Sequence, residues 1–317
     1  MKSAFAIIIC FVLFTACSTP RLAVLPFING DAITDDIAND VGETFAWQLA
    51  NASAAHRFYE IIPITPKIQN DIRHERAYHS AFDTAKELRA DFVMLSFVKA
   101  LGDKWLFYIV IMDVKTKELI AGDYREFKYL SDIPNFFTSM TRKMMTVSQR
   151  NITERKKRYR YIPTLAVDIL QTPPSEYITL NDAVVLTQLM ANEMANNGKF
   201  RVFPRTDVFD AAGVFYGGEG HLAEAANAVY GTKTDTVAAV YVDDLPPADY
   251  VLTSKISSLE TPPEPPFDLL GEILYIKKNR LVIGNQVTFN RVENAPARVS
   301  QLAALLSSLT TIPPPPR

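Results

Sequence analysis

The sequence predicts an α/β protein of the α+β mixed-sheet type, built as a tandem duplication of one domain. Three observations indicate this fold. Apolar runs of strand length flank an amphipathic helical stretch early in each half of the chain. Three further strand-like runs with short connections follow in each half. The residues of the first half also recur, in the same order, in the second half.

The first part of the repeat is read directly from the letters. Residues 22–65 begin LAVLPFINGD, continue through a helical stretch and end with FYEIIPIT. Residues 165–206 begin LAVDILQTPP, continue through a helical stretch and end with FRVFPRT. The closing runs align without a gap, so that Pro63 lies opposite Pro204. A repeat over this length predicts duplication of a domain.

The second part of each copy repeats as well. ADFVMLSFVKAL at 90–101 corresponds to ADYVLTSKISSL at 248–259. VKTKELIAGD then aligns with IKKNRLVIGN, each with a charged turn, and Gly122 lies opposite Gly284. The correspondence therefore extends through most of both halves.

A strand, a helix and a second strand open each copy. LAVL and LAVD are continuous apolar runs, typical of strands covered on both faces. The first helix carries an apolar stripe at Ile37, Val41, Phe45 and Leu49. The second carries the same kind of stripe at Leu180, Val184, Thr187, Met190 and Met194. Because proline has no backbone N–H, the second strands should end at Pro63 and Pro204 or lie at an unpaired edge. This order predicts a right-handed crossover between parallel strands.

Helical stretches and an antiparallel meander complete each copy. Helices are predicted at 66–73, 82–88, 207–212 and 219–230. Strands are predicted at 91–99, 105–114 and 118–128, and again at 249–257, 268–277 and 280–290. The short connections between these runs favour antiparallel neighbours. A closing helix is predicted at 133–148 and at 296–309.

This pattern resembles the α/β domain shared by the amino-terminal part of TolB, the secretion lipoprotein CsgG and the cell-wall synthase activator LpoB. The resemblance is carried by the LAVLPF strand, the helix ending in QLA, the F-x-x-x-x-P strand and the A-D-F/Y-V start of the meander. It implies two copies of one scaffold over nearly the whole chain. It implies no single activity, because these relatives perform different tasks on one scaffold.

The amino-terminal residues resemble a lipoprotein signal. Lys2 precedes the apolar stretch 4–14, and the small residues Thr15 and Ala16 precede Cys17. The apolar stretch is about half the length that crosses a bilayer. The resemblance to a lipobox implies that residues 1–16 are removed and that Cys17 is acylated, whereas an ordinary secretory signal is the alternative.

The cysteine content agrees with an acylated Cys17. The chain has 2 cysteines, Cys10 in the signal and Cys17 itself, so no disulfide framework is expected. Ser18 after the cysteine favours, by resemblance to enterobacterial sorting, the periplasmic side of the outer membrane over that of the inner membrane. Residues 17–21 then form a tether in which four residues reach about 14 Å. The first domain should therefore lie against the membrane.

The predicted division of the chain follows from these features. We expect a first domain at 22–149, a basic linker at 150–162, a second domain at 163–310 and a proline-rich tail at 311–317. The hydrophobic content of 48%, charged content of 21% and net charge of −2 are typical of globular proteins and give no nucleic-acid footprint.

One strongly charged cluster lies at the junction of the copies. Its members are Arg155, Lys156, Lys157, Arg158 and Arg160. A solvated linker is one interpretation. Contact with anionic lipid head groups or with an acidic partner is the other, which makes these residues candidate membrane or partner contacts.

No catalytic constellation is found in the sequence. His74 and His79 are five residues apart, whereas the zinc-protease helix motif needs four. The glycine-rich stretch 216–221 lacks the Lys and Ser/Thr of a phosphate loop. Asp168 interrupts an apolar strand and is expected at the strand's end. We therefore expect no catalytic residue, no metal and no cofactor; an enzyme that uses Asp168 is a third hypothesis.

The expected function is that of a non-catalytic, membrane-anchored periplasmic lipoprotein. It would bind an envelope protein in a complex for cell-wall synthesis, secretion or transport. The alternative is a CsgG-like oligomeric secretion component of the outer membrane. That alternative needs membrane-spanning strands of about 9–11 residues, and the remaining strand-like material, at 208–216 and 236–242, is interrupted or short.

Overall fold

The computed structural model describes five helices and ten strands, within residues 19–25, 35–62, 78–157, 162–173, 177–204, 248–258, 265–278 and 280–308. The helices are α1 (Asp35–Ala54), α2 (Tyr78–Glu87), α3 (Pro134–Lys157), α4 (Leu180–Asn197) and α5 (Ala295–Ser307). The strands of the first half are β1 (Arg21–Val24), β2 (Glu60–Ile62), β3 (Phe92–Leu101), β4 (Lys104–Asp113) and β5 (Leu119–Phe127). Those of the second half are β6 (Thr164–Val167), β7 (Arg201–Pro204), β8 (Tyr250–Ser258), β9 (Phe267–Tyr275) and β10 (Arg280–Phe289).

The α/β class and the mixed sheet are confirmed. The ten strands form one sheet in the order β10-β9-β8-β6-β7-β5-β4-β3-β1-β2. In the first half β1 pairs in parallel with β2 and β3, and β3, β4 and β5 form an antiparallel meander. In the second half β6 pairs in parallel with β7 and β8, and β8, β9 and β10 form the meander. β2 is described as far as Ile62 and β7 as far as Pro204, and the residues that follow each of them lie outside the described ranges.

A repeated hydrogen bond explains the A-D-F/Y-V motif. The carboxylate of Asp91 accepts the backbone N–H of Arg21, the first residue of β1, at 2.8 Å. The carboxylate of Asp249 accepts the backbone N–H of Thr164, the first residue of β6, at 3.0 Å. In both halves the aspartate before the third strand therefore fixes the start of the first strand.

The two halves share one core. β5 and β7 pair antiparallel at a single position, Leu119 with Val202. α4 contacts β3 and β5 of the first half as well as β6 and β7 of the second. Buried apolar side chains form a continuous cluster from Phe82 of α2 to Leu306 of α5. Packing across the junction thus stabilises both halves together.

The structure differs from the predicted linker at 150–162. α3 continues to Lys157, so that residues 150–157 are its last turns. Asn151 is buried there, and its amide donates to the carbonyls of Ile120 at 2.8 Å and Ala195 at 3.0 Å. These tertiary contacts extend the helix past Ser148. The sequence prediction ended the helix there because an amide and several basic side chains are typical of a solvent-exposed linker.

The other face of the first half has its own core. Phe45 of α1 and Phe137 of α3 pack edge to face, with ring centroids 5.5 Å apart, over the apolar side chains of β4. Helices therefore cover both faces of β3 and β4, which are buried along almost their whole length. β9, in contrast, alternates buried and half-buried residues. No described helix is long and apolar enough to span a bilayer.

Candidate functional site

Within the described residues, the structure divides the predicted basic cluster into one half-buried and two exposed members. Arg155 Nη2 lies 2.6 Å from Glu118 Oε1. Arg201 Nε of β7 lies 3.0 Å from Glu118 Oε2. The Glu118 side chain is 2% exposed. Arg155 is therefore a structural residue at the junction of α3, β5 and β7 rather than a free contact.

The Glu118 cluster carries a strong desolvation penalty. Burial raises the pKa of the Glu118 carboxyl above its ordinary value, although the charges of Arg155 and Arg201 act to lower it. Burial also lowers the pKa of the Arg155 guanidinium, although Glu118 acts to raise it. Because both arginines face the same carboxylate, removing Glu118 leaves two partly covered positive charges without a counter-charge.

Lys156 and Lys157 are the exposed members of the cluster. Lys157 Nζ lies 4.0 Å from Glu154, one turn earlier in α3. Arg158 and Arg160 lie outside the described residues. The two lysines therefore stand at the carboxyl end of α3, where they favourably complement the helix dipole.

The carboxyl end of α3 lies at the same end of the sheet as the start of β1. Leu22 of β1 pairs with Phe92 of β3, which pairs with Asp113 of β4. The Asp113 N–H donates to the Glu118 carbonyl, and Glu118 binds Arg155. Lys156 and Lys157 therefore lie at the end of the sheet where β1 begins, a few residues after Cys17 in the sequence. Cys17 itself lies outside the described residues.

Asp168 lies directly after β6, at the strand's end as predicted. Its Oδ1 accepts the backbone N–H of Ile169 at 2.9 Å, and its own N–H donates to the Leu252 carbonyl. The carboxylate thus shapes the turn that leaves the strand. Within the described ranges, no three His, Cys, Asp or Glu side chains lie close enough together to hold a metal ion.

Several other predicted features fall outside the described residues. They are the 216–221 glycine stretch, His74, the strand-like segments 208–216 and 236–242, and the 311–317 tail. His79 lies in α2, but its side chain is likewise outside the described set.

Sequence reasoning missed the polar face of α4. Gln188 and Asn192 are 3% and 4% exposed, although the apolar stripe of the helix lies elsewhere. Asn196, one turn further, holds the backbone of Gly122 in both directions: its Nδ2 donates to the carbonyl at 2.7 Å and its Oδ1 accepts the N–H at 3.1 Å. The spacing of three amides four residues apart was the available signal.

Sequence reasoning also missed the exposed apolar side chains. Trp47 on α1 is 67% exposed and Leu281 on β10 is 49% exposed. β10 and β2 are the two outer strands of the sheet, so their outer backbone groups have no neighbouring strand in the described order. Such edges are sites at which a further strand can pair.

An open groove between the halves is lined by charged and polar side chains, including Lys104, Glu126 and Arg298. Lys104 Nζ lies 2.8 Å from Glu126 Oε2, and Arg298 Nη1 donates to Gln301. These charged groups bind one another or neighbouring side chains, so the groove presents no concentrated charge of one sign.

Comparison with known proteins finds solved structures that match part of this chain. No protein-family model and no curated protein matches the chain. Among solved structures, the PelC dodecamer from Paraburkholderia phytofirmans is 16% identical, with 41% of this chain and 89% of that chain covered and a TM-score of 0.25. TolB from Acinetobacter baumannii is 12% identical, with coverages of 47% and 29% and a TM-score of 0.24.

A third solved structure, the LpoB C-terminal domain from Salmonella enterica, is 17% identical, with 45% of this chain and 95% of that chain covered and a TM-score of 0.24. TolB and LpoB are two of the proteins that the sequence resembles. TM-scores this low carry no argument about function.

The buried carboxylate gives a stability prediction. Glu118→Gln should lower the free energy of unfolding by about 1–3 kcal/mol, because it leaves two arginines without their buried counter-charge. Glu126→Gln, which removes the exposed partner of Lys104, should cost under about 1 kcal/mol. Urea unfolding of the two variants measures the difference; equal and small losses would show that Glu118 does not hold the junction.

Proposed function

We propose that this chain is a lipid-anchored protein of the bacterial envelope, on the periplasmic side of the outer membrane, which acts by binding proteins and catalyses no reaction. One observation carries the proposal: an edge strand of ten residues, Arg280 to Phe289, forms one end of the sheet and presents exposed side chains, Leu281 among them. Long exposed edges with apolar side chains are typical of protein-docking surfaces.

The buried charged groups among the described residues form ion pairs and hydrogen bonds that stabilise the fold. Their structural use supports a binding role over catalysis. Glu118 binds Arg155 and Arg201. Asp123, whose side chain is 1% exposed, lies 2.6 Å from Lys143 Nζ. Asp182 caps α4 by accepting the Thr179 backbone N–H and side-chain hydroxyl. These charged groups stabilise packing and helix capping. A catalytic site would therefore need reactive groups other than these.

The short tether supports the anchored position. The carbonyl of Pro20, three residues after Cys17 in the sequence, accepts the Glu60 N–H at 2.9 Å. An acyl anchor on Cys17 would hold the start of β1 within roughly 14 Å of the membrane. Lys156 and Lys157 lie at this end of the sheet, where each lysine near an anionic surface contributes about 1 kcal/mol of attraction.

Features shared by the two halves support an origin of the chain by duplication of a TolB-, CsgG- or LpoB-like domain. They share a pairing order, the aspartate that fixes the first strand, and an irregularity at the same place. Ile120 of β5 and Val282 of β10 each lie where the pairing register shifts by one residue. A bulge retained at matching positions is a feature that related domains share.

Fatty-acid labelling tests the anchor. In cells given an alkyne-tagged palmitate, the Cys17→Ser chain should lose the label and leave the membrane fraction, because the thiol that carries the lipid is gone. Cys10→Ser is the matched control and should keep the label, since Cys10 belongs to the removed signal. Persistent labelling of Cys17→Ser would exclude this anchor.

Vesicle binding tests the basic end of α3. The Cys17→Ser chain, purified without lipid, should bind vesicles containing phosphatidylglycerol more tightly than vesicles of phosphatidylcholine. Lys156→Glu should weaken the first binding about thirtyfold, because replacing an attraction of about 1 kcal/mol with a repulsion of similar size costs about 2 kcal/mol. Lys128→Glu, at the opposite end of β5, is the control. Equal effects of the two changes would show that the basic end does not face the membrane.

A further inference from the structure

The junction between the halves combines three kinds of contact. Leu119 of β5 pairs with Val202 of β7. Glu118, just before β5, binds Arg201 of β7. Asn192 of α4 packs on Gly122 of β5 so closely that a Cβ at Gly122 would lie 2.3 Å from its Oδ1. A strand edge, an ion pair and an amide seated on a glycine thus join the halves.

β10 carries the counterpart of the β5 side of this junction. The matching register shifts place Arg280, Leu281 and Gly284 where the first half has Glu118, Leu119 and Gly122. Whereas the three residues in the first half are buried, all three in the second half are exposed. The surface that the junction covers on β5 is therefore open on β10.

β2 and α1 carry the counterpart of the other side. Arg21 and Leu22 pair with Glu60 and Ile61 as Thr164 and Leu165 pair with Arg201 and Val202, so Glu60 and Ile61 occupy the positions of Arg201 and Val202. The Glu60 side chain is 61% exposed, with Arg21 Nε at 3.8 Å.

The helices align through their ends. α1 and α4 are each followed by a residue of positive φ, Arg57 at 53° and Gly198 at 74°, two residues before the aligned Tyr59 and Phe200. Counting back from these residues places Asn51 where α4 has Asn192. Asn51 is exposed. The side-chain amide that would pack on Gly284 is therefore exposed on α1, the helix that also exposes Trp47.

The two open surfaces carry complementary charges, and their signs are reversed relative to those of the internal junction. Inside the molecule an acid on the β5 side meets a base on the β7 side, Glu118 with Arg201. On the open surfaces a base on the β10 side, Arg280, corresponds to an acid on the β2 side, Glu60. Two copies of this chain would therefore bring opposite charges together at the same point of the junction, whereas two β10 edges would bring like charges together.

We propose that β10 of one copy docks against β2 and α1 of a second copy, and so repeats between molecules the junction that β5 makes with β7 and α4 within one. Leu281 then packs on Ile61, Arg280 pairs with Glu60, and Asn51 seats on Gly284. The contact is head to tail, so a pair of copies still has one free β10 and one free β2 at its ends, and further assembly yields a closed ring or a filament.

The junction between molecules is weaker than the one within the molecule. Ala55 stands where α4 has Asn196, so the amide that binds the Gly122 backbone in both directions has no counterpart. α5 ends at Ser307, whereas the longer α3 supplies Asn151 and Arg155 to the internal junction. Assembly should therefore depend on protein concentration.

A charge exchange tests the proposal. Sedimentation of the detergent-solubilised chain over a concentration series should show reversible association. Arg280→Glu and Glu60→Arg should each raise the apparent dissociation constant at least tenfold, because each places like charges together. The double variant Arg280→Glu/Glu60→Arg, and an equal mixture of the two single variants, should restore association to within about threefold of the unaltered chain.

Arg298→Glu, an exposed change of the same charge on α5, is the matched control and should leave association unaltered. Melting temperatures of all variants verify that the fold is retained. A chain that stays monomeric throughout the series would overturn the proposal, as would association that the single variants do not weaken or that the exchange does not restore. The same series with Cys17→Ser separates this contact from the lipid anchor, whose failure would leave the result intact.

Discussion

Glu118 lies at the point where a helix and strands of both halves of the molecule converge, held between the guanidinium groups of Arg155 and Arg201. Because a buried carboxylate is costly without counter-charges, α3 must reach this point and β7 must pair beside β5. The length of α3, the position of the second half and the loss of Arg155 from the exposed basic cluster all follow from this constraint.

Periodicity and turn chemistry predicted the described strands and helices well, because each has a pattern that is local in the sequence, whereas the helices predicted at 66–73, 207–212 and 219–230 lie outside the described residues. The meander of β3, β4 and β5 needs only alternating apolar runs and short polar connections. What covers a buried face is not local. The sequence predicted an apolar stripe on α4, whereas the structure also buries the amides of Gln188 and Asn192, and Asn192 packs on Gly122 of the first half.

The basic cluster shows the same limit. Arg155 and Lys156 are neighbours of like charge in the sequence, and their difference arises from the helical turn that directs one toward Glu118 and the other to solvent. An ion pair between residues far apart in the chain has no sequence pattern of its own. The glycines were more informative: Gly122 and Gly284 align in the sequence, and only the structure shows that one is covered by an amide and the other is open.

The covered junction at β5 and its open copy on β10 together predict the assembly of this chain. Hydrogen exchange of the backbone amides, measured at low and high protein concentration, tests it most directly. Amides at 119–123 should be protected equally at both concentrations, whereas those amides at 281–285 that do not bond to β9 should gain protection only at the higher one. Unchanged exchange at 281–285 in a sample that has demonstrably assembled would contradict it.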